Sequence, residues 1–269
     1  MLCLLALALA AAPAAAQFMA GVTAGDFYQA NAIVTGTDMR QRPWGIAQCL
    51  REVLVKVSGD PKLRDDPRVA ELGKTADKYV ISFDYADLMA GIPKKDDQGS
   101  YDRPHRLTVH FDPPKIDEML VKLGEKPWHG DRPVIVPALL VRGPHPPPYV
   151  LSALIKAGAE QRGSFAEAAS EYGLTARIPS ETEIAAWGAK ADNFPFPAAA
   201  PPDDPEPSEV IVVGTLDWNE ALPGWVGAWR ARWHGADHRW GISGVNYDAA
   251  FRDIAAGVVR IASGNGATD

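Results

Sequence analysis

The first 130 residues alternate between strand-like and helix-like hydrophobic patterns. Residues 27–37 place Tyr28, Ala30 and Ala32 on one face of a predicted strand, and residues 43–57 carry apolar side chains at helical spacing. Residues 78–86 and 106–111 alternate again and predict two paired strands, and residues 113–123 predict a second helix. This order predicts an α+β fold with a ferredoxin-like βαββα first half whose final strand is not evident.

The second half carries the pattern of buried strands with helices on their faces. Residues 134–141 and 209–218 are mostly apolar, as in strands covered on both sides. Between them the pattern predicts helices at 149–160 and 164–172, a short strand at 174–178, and a capping-box helix that starts at Ser180 with Glu183. An antiparallel pair at 225–234 and 239–245, turned at 235–237, precedes a helix capped by Asn246. These elements predict an α/β half with a mixed sheet.

The amino-terminal residues resemble a secretory signal. Residues 2–16 are uncharged, rich in Leu and Ala, and end in three alanines, as signal peptidase requires. As a helix they cover about 22 Å, which is short of the roughly 30 Å hydrocarbon core, although a retained membrane span is the alternative. The segment lacks the Lys or Arg with which a signal normally begins, which suggests that the true start lies upstream of Met1. We expect cleavage near Ala16 and a periplasmic or secreted protein, with envelope association as an alternative.

These patterns divide the chain into three predicted parts. Residues 1–16 form the signal, 17–130 an α+β domain, and 131–269 an α/β domain interrupted by a loop at 192–208 with six prolines in 17 residues. The composition, 46% hydrophobic and 23% charged, is that of a globular protein, and the net charge of −7 argues against a nucleic-acid partner.

Tryptophan is concentrated near the carboxy terminus, where five of the chain's eight tryptophans lie between residues 218 and 240. On a strand Trp225, Trp229 and Trp233 share one face, which predicts either a layer buried between sheet and helix or an exposed platform for sugar rings. The opposite face carries Arg230 and Arg232, which could bind an anionic group or discourage pairing at a sheet edge. These five residues are the candidate binding site.

No pattern in the chain predicts a cofactor, a metal site or a catalytic residue. The sequence contains no nucleophile elbow, phosphate loop or dinucleotide fingerprint. Cys49 is the only cysteine after Ala16, and it shares the apolar face of its helix, as an inert core thiol does. The least favoured hypothesis is an enzyme that uses the Cys49 thiol or a metal bound by His234 and His238.

Several short motifs resemble a proteobacterial family of exported proteins, domain of unknown function 2066. They lie at residues 28–36, 47, 50–59, 79–85, 107–112, 128, 132–133 and 212–216, with Trp225, Trp229 and Trp240. The second half is also loosely similar to small α/β domains of envelope assembly proteins, such as the amino-terminal domain of the Tol-Pal translocation protein. The resemblance implies an exported interaction or assembly module that binds another envelope protein. The alternative is a glycan-binding or glycan-processing protein that uses the tryptophan strand.

Overall fold

The computed structural model describes residues 27–92, 95–96, 99–100, 102–145, 147–192, 208–221 and 223–265. The predicted signal and most of the proline-rich loop therefore lie outside the described residues. The helices are α1 Arg42–Ser58, α2 Pro67–Gly73, α3 Pro113–Leu123, α4 Ala159–Glu171, α5 Glu181–Ala186 and α6 Tyr247–Ser263. The strands are β1 Gln29–Thr35, β2 Val80–Asp87, β3 Lys95–Asp96, β4 Gly99–Ser100, β5 Pro104–Phe111, β6 Val134–Arg142, β7 Tyr149–Val150, β8 Thr175–Ala176, β9 Glu209–Asn219, β10 Gly224–Trp233 and β11 Ala236–Val245.

The first half is an antiparallel sheet of order β1–β5–β2, with α1 and α3 on one face. Alternate residues of the central strand β5, Leu107, Val109 and Phe111, point into the core because a strand's side chains alternate between its faces. The predicted α+β class is confirmed. The complete ferredoxin-like arrangement needs a fourth strand, and the described residues supply none to this sheet.

The second half is a six-stranded mixed sheet of order β11–β10–β9–β6–β7, with β8 also paired to β6. β6 and β9 run parallel at its centre, which explains why almost every residue in them is buried. The helices α4 and α6 pack together on one face, which we call the inner face. The short helix α5 packs on the opposite, outer face through Ile184 and Trp187, beside Ile211 and Val213 of β9.

The buried side chains of the two halves form one hydrophobic cluster, so the halves are packed against each other. Polar contacts cross the same junction: Ser263 Oγ donates to Gly59 O at 2.9 Å, and Arg132 Nη2 donates to Lys56 O at 2.7 Å. Glu171 of α4 forms ion pairs with Arg64 of the first half and with Arg252 of α6. The junction is therefore built from both apolar and charged contacts.

Three local predictions are wrong. The helix predicted at 149–160 is instead the strand β7, a bend and a 3-10 turn, Lys156–Gly158, before α4 begins. The chain folds back tightly there: a Cβ on Gly158 would lie 2.8 Å from Leu151 Cδ1. The region between α1 and β2, predicted to be irregular, contains α2. The turn between β10 and β11 is shorter than predicted, with consequences described below.

Candidate functional site

The inner face of β10 carries the tryptophan row, and α6 covers it. Trp225 is 8% exposed and Trp229 is 3% exposed, whereas Trp233 remains half-buried. Trp229 Nε1 donates to Asp253 Oδ2 of α6 at 2.9 Å, and Trp240 Nε1 donates to Asp253 O at 3.1 Å. Two of the three predicted rings are therefore buried on the inner face, where no sugar can stack on them.

Glycines make room for these large rings. A Cβ on Gly227 would lie 2.0 Å from Trp229 Cζ2, and one on Gly214 would lie 2.4 Å from Trp229 Cε3. On α6, a Cβ on Gly257 would lie 2.3 Å from Trp240 Cε2. Since atoms in contact normally approach to about 3.5–4.0 Å, each position accepts only glycine unless the indole moves.

The outer face of β10 and β11 is exposed and basic. Arg230 and Arg239 are both exposed, and they lie directly opposite each other in the antiparallel register. Directly opposed side chains have Cβ atoms roughly 5 Å apart, and like charges at that spacing destabilise the pair. On this face, the next opposed pair away from the turn is Ala228 and Gly241, so small residues border the arginines.

Two carboxylates on this face are bound to other arginines. Asp237 lies opposite Arg232 and forms an ion pair with it at 3.4 Å. Asp217 of β9 binds Arg142 of β6 through two hydrogen bonds. Within the described part of the chain, Arg230 and Arg239 form no ion pair or side-chain hydrogen bond. Among the described residues, the outer face thus presents two opposed arginines that form no ion pair with a carboxylate.

A two-residue turn sets this register. His234 and Gly235 both have left-handed backbone conformations, with φ of 48° and 79°, as a type I′ hairpin turn requires. His234 stacks on Trp233, with ring centroids 4.4 Å apart. The longer predicted turn at 235–237 would have put a different residue opposite Arg230. Sequence reasoning therefore found Arg230 and Arg232 but missed Arg239.

The other sequence candidates are separated from this face. Cys49 is buried in α1, and burial raises the pKa of its thiol far above the usual range. His238 lies opposite Ala231, so it belongs to the inner side of the hairpin, away from Arg239. Among the described residues, no group of three or more His, Cys, Asp or Glu side chains could hold a metal ion, and no helix is long and apolar enough to span a membrane.

A separate cleft of about 420 Å³ lies at the junction of the two halves. The Arg132 guanidinium lies between the rings of Phe27 and Trp128, with its carbon 3.9 Å and 4.2 Å from the ring centroids. Its Nη2 donates to Lys56 O at 2.7 Å, and burial lowers its pKa to about 10. Its Nη1 is buried, and a Cβ on Gly173 would lie 2.9 Å from it. Arg132 therefore joins the β1, α1 and α4 regions, and its buried Nη1 has no hydrogen-bond partner among the described residues.

Comparison with known proteins gives one partial match. Residues 21–129 match the model of a family described as a domain of unknown function, DUF8605. The match covers less than half of the chain and ends before the sheet that carries Arg230 and Arg239. No curated protein and no solved structure matches the chain.

The predicted resemblance to domain of unknown function 2066 is therefore wrong, because the matching family model is a different one. The motifs behind that prediction were alternating strands and an amphipathic helix. Such patterns follow from burying one face of an element and recur in many unrelated folds.

Proposed function

We propose that this chain is a non-catalytic, exported envelope protein that binds an acidic segment of another envelope protein through the outer face of β10 and β11. The signal-like residues 2–16 support export. The observation that carries the binding proposal is the opposed pair Arg230 and Arg239, which is exposed and has no neighbouring carboxylate partner in the described structure.

Guanidinium groups suit this role for two physical reasons. They stay protonated at physiological pH, so they bind anions but do not transfer protons. They also form charge-assisted hydrogen bonds to carboxylates, worth about 1.5–3 kcal/mol each. A carboxylate close to this pair would reduce the repulsion between Arg230 and Arg239 and accept charge-assisted hydrogen bonds.

A protein partner fits this face better than a glycan does. Sugar recognition typically uses aromatic rings for stacking, and here Trp225 and Trp229 are buried on the opposite side of the sheet. Around the arginine pair the outer face offers Ala228, Gly241 and Ser243, which are small and lie on the strands themselves. A flat surface with two cations suits an extended acidic peptide.

Site-specific photocrosslinking in cells tests the proposal. A photoreactive residue replaces Ala228, which is exposed beside Arg230, and a control replaces Val121, which is 66% exposed on α3. We expect the Ala228 probe to crosslink to an acidic segment of an envelope protein, identified by mass spectrometry. Fractionation of the same cells tests export.

Matched charge variants separate this face from general electrostatics. The double variant Arg230→Gln with Arg239→Gln should abolish the crosslink, whereas Arg106→Gln, which removes an exposed arginine from β5, should leave it unchanged. An identical crosslink in all three proteins, or no envelope partner at position 228, would show that the proposal is wrong.

A further inference from the structure

The arginine pair lies beside an open sheet edge. Among the described residues β11 pairs only with β10, so the other edge of β11 has no partner strand. None of the ten residues of β11 is buried, as expected for an edge strand. An open edge exposes backbone N–H and C=O groups that a further strand can bind.

The two faces of β11 would present different surfaces to an added strand. Arg239, Gly241 and Ser243 alternate along the outer face, and the half-buried Trp240 and Ile242 lie on the inner face beside α6. Successive side chains of an added strand also alternate between the two faces. An acidic side chain on the outer face would meet Arg239, and its neighbours on the inner face would meet Trp240 and Ile242.

We propose that the acidic partner binds as an additional strand along the edge of β11, with a carboxylate opposite Arg239 and apolar side chains beside Trp240 and Ile242. This inference rests on the proposed function and adds the conformation and residue pattern of the partner. Across the three strands the row would read Arg230, Arg239 and then the added carboxylate. The carboxylate would attract Arg239, which is the only arginine of the pair directly opposite it.

The same charges disfavour several other occupants of this edge. Lysine or arginine opposite Arg239 is repelled, and an apolar residue there gains no hydrogen bond. An acidic residue two positions along, opposite Asp237, is also repelled, although the Arg232–Asp237 ion pair weakens that effect. The fit is therefore to an extended segment with acidic and apolar residues in alternation, a mode in which main-chain bonds give affinity and side chains give specificity.

Backbone methylation tests strand addition directly. The probe is an end-blocked heptapeptide, Val-Thr-Val-Asp-Val-Asp-Val, and binding to the purified chain is measured by fluorescence anisotropy. Two derivatives carry N-methyl groups, one on the even-numbered positions and one on the odd-numbered internal positions. In an added strand only one of these sets of N–H groups faces β11, whereas the other faces solvent.

We expect one methylated peptide to bind at least about tenfold more weakly than the unmodified peptide and the other to bind within about threefold of it, since a tenfold loss needs only 1.4 kcal/mol. Hydrogen exchange should show slower exchange at residues 236–243 in the complex. If both methylated peptides bind alike, strand addition is refuted.

A further comparison separates this inference from the proposed function. The unmodified peptide could lose affinity when Arg230 and Arg239 are replaced, while the two methylated peptides bind the parent chain equally well. In that case the basic face binds acidic segments without adding a strand. If binding of the unmodified peptide is indifferent to both arginines, the proposed function fails as well.

Discussion

Replacing Gly257 by alanine tests whether the indole rings fill the space between the sheet and α6. In an exposed helix the change would stabilise the protein by about 0.5–1 kcal/mol, because glycine is a poor helix former. Here the new Cβ would lie 2.3 Å from Trp240 Cε2 and 2.5 Å from Trp240 Nε1. The ring or the helix must therefore move by more than 1 Å to restore normal contact distances of about 3.5 Å.

The expected cost follows from those distances. Overpacking a core costs about 1–3 kcal/mol, and displacing Trp240 also threatens its 3.1 Å hydrogen bond to Asp253 O, worth about 0.5–1.5 kcal/mol. After the gain in helix propensity, we expect Gly257→Ala to reduce the free energy of unfolding by about 1–3 kcal/mol.

Gly163→Ala is the matched control. Gly163 lies inside α4, and an added Cβ there meets nothing within 4 Å. Its replacement should therefore show the propensity gain alone, about 0.5–1 kcal/mol. Urea unfolding followed by far-ultraviolet circular dichroism measures both variants against the parent chain.

The two variants should shift stability in opposite directions. For a domain of this size each kcal/mol moves Tm by about 2–4 °C, so the difference is readily measured. A Gly257→Ala protein that is as stable as the parent, while Gly163→Ala shows its expected gain, would refute close packing of Trp240 against α6.

Three further predictions concern the first half and its junction with the second. Gly59→Ala should lower the free energy of unfolding by about 2–4 kcal/mol, since Gly59 has φ of 74° and its Cβ would lie 2.6 Å from Ser263 Cβ. The control Gly124→Ala, at a φ of 87° with open space around it, should cost only about 1–2 kcal/mol. Equal losses in urea unfolding would contradict tight packing at this junction. Burial raises the pKa of Glu52 above its usual 4.5, so the native state binds that proton more tightly and the contribution of Glu52 to stability falls as pH rises above about 4.5. The stability of Glu52→Gln relative to the parent should therefore increase with pH in urea titrations, and a difference that does not vary with pH would show that Glu52 titrates normally. Burial also raises the pKa of the Cys49 thiol, so a chain beginning at Gln17 should react with a thiol reagent only after unfolding, and rapid labelling of the folded chain would contradict its burial.

Strong periodicity made much of the fold predictable. The helix α6 and the strands β5, β6 and β9 occur close to where their hydrophobic patterns predict, because each buries a complete face or both faces. The capping box at Ser180 forms as predicted, and Asn246 accepts a hydrogen bond from Ala249 N. Local signals of this kind depend on few neighbours.

The missed elements depend on contacts that the sequence does not display. The region from Tyr149 looks helical by its apolar spacing, yet Tyr149 and Val150 pair with β6, and the chain then packs around Gly158. By contrast, α2 had a readable signal: Asp66 before Pro67 is a helix start, and Asp66 Oδ1 accepts from Arg68 N at 2.7 Å.

The basic face was only half predictable for a related reason. Alternation alone places Arg230 and Arg232 on one face of a strand. Their partners across the hairpin depend on the exact turn length, and a small change in that length replaces Arg239 with another residue opposite Arg230. The pair thus follows from the left-handed conformations of His234 and Gly235, which a sequence pattern does not fix.

The most direct test of the arginine pair measures binding of the unmodified heptapeptide Val-Thr-Val-Asp-Val-Asp-Val to three purified proteins by fluorescence anisotropy. These are the parent chain, the double variant Arg230→Gln with Arg239→Gln, and the control Arg106→Gln. We predict that the double variant binds at least about tenfold more weakly than the other two, the loss of at least one charge-assisted hydrogen bond. Equal affinities for all three proteins would contradict the claim that Arg230 and Arg239 form the binding surface.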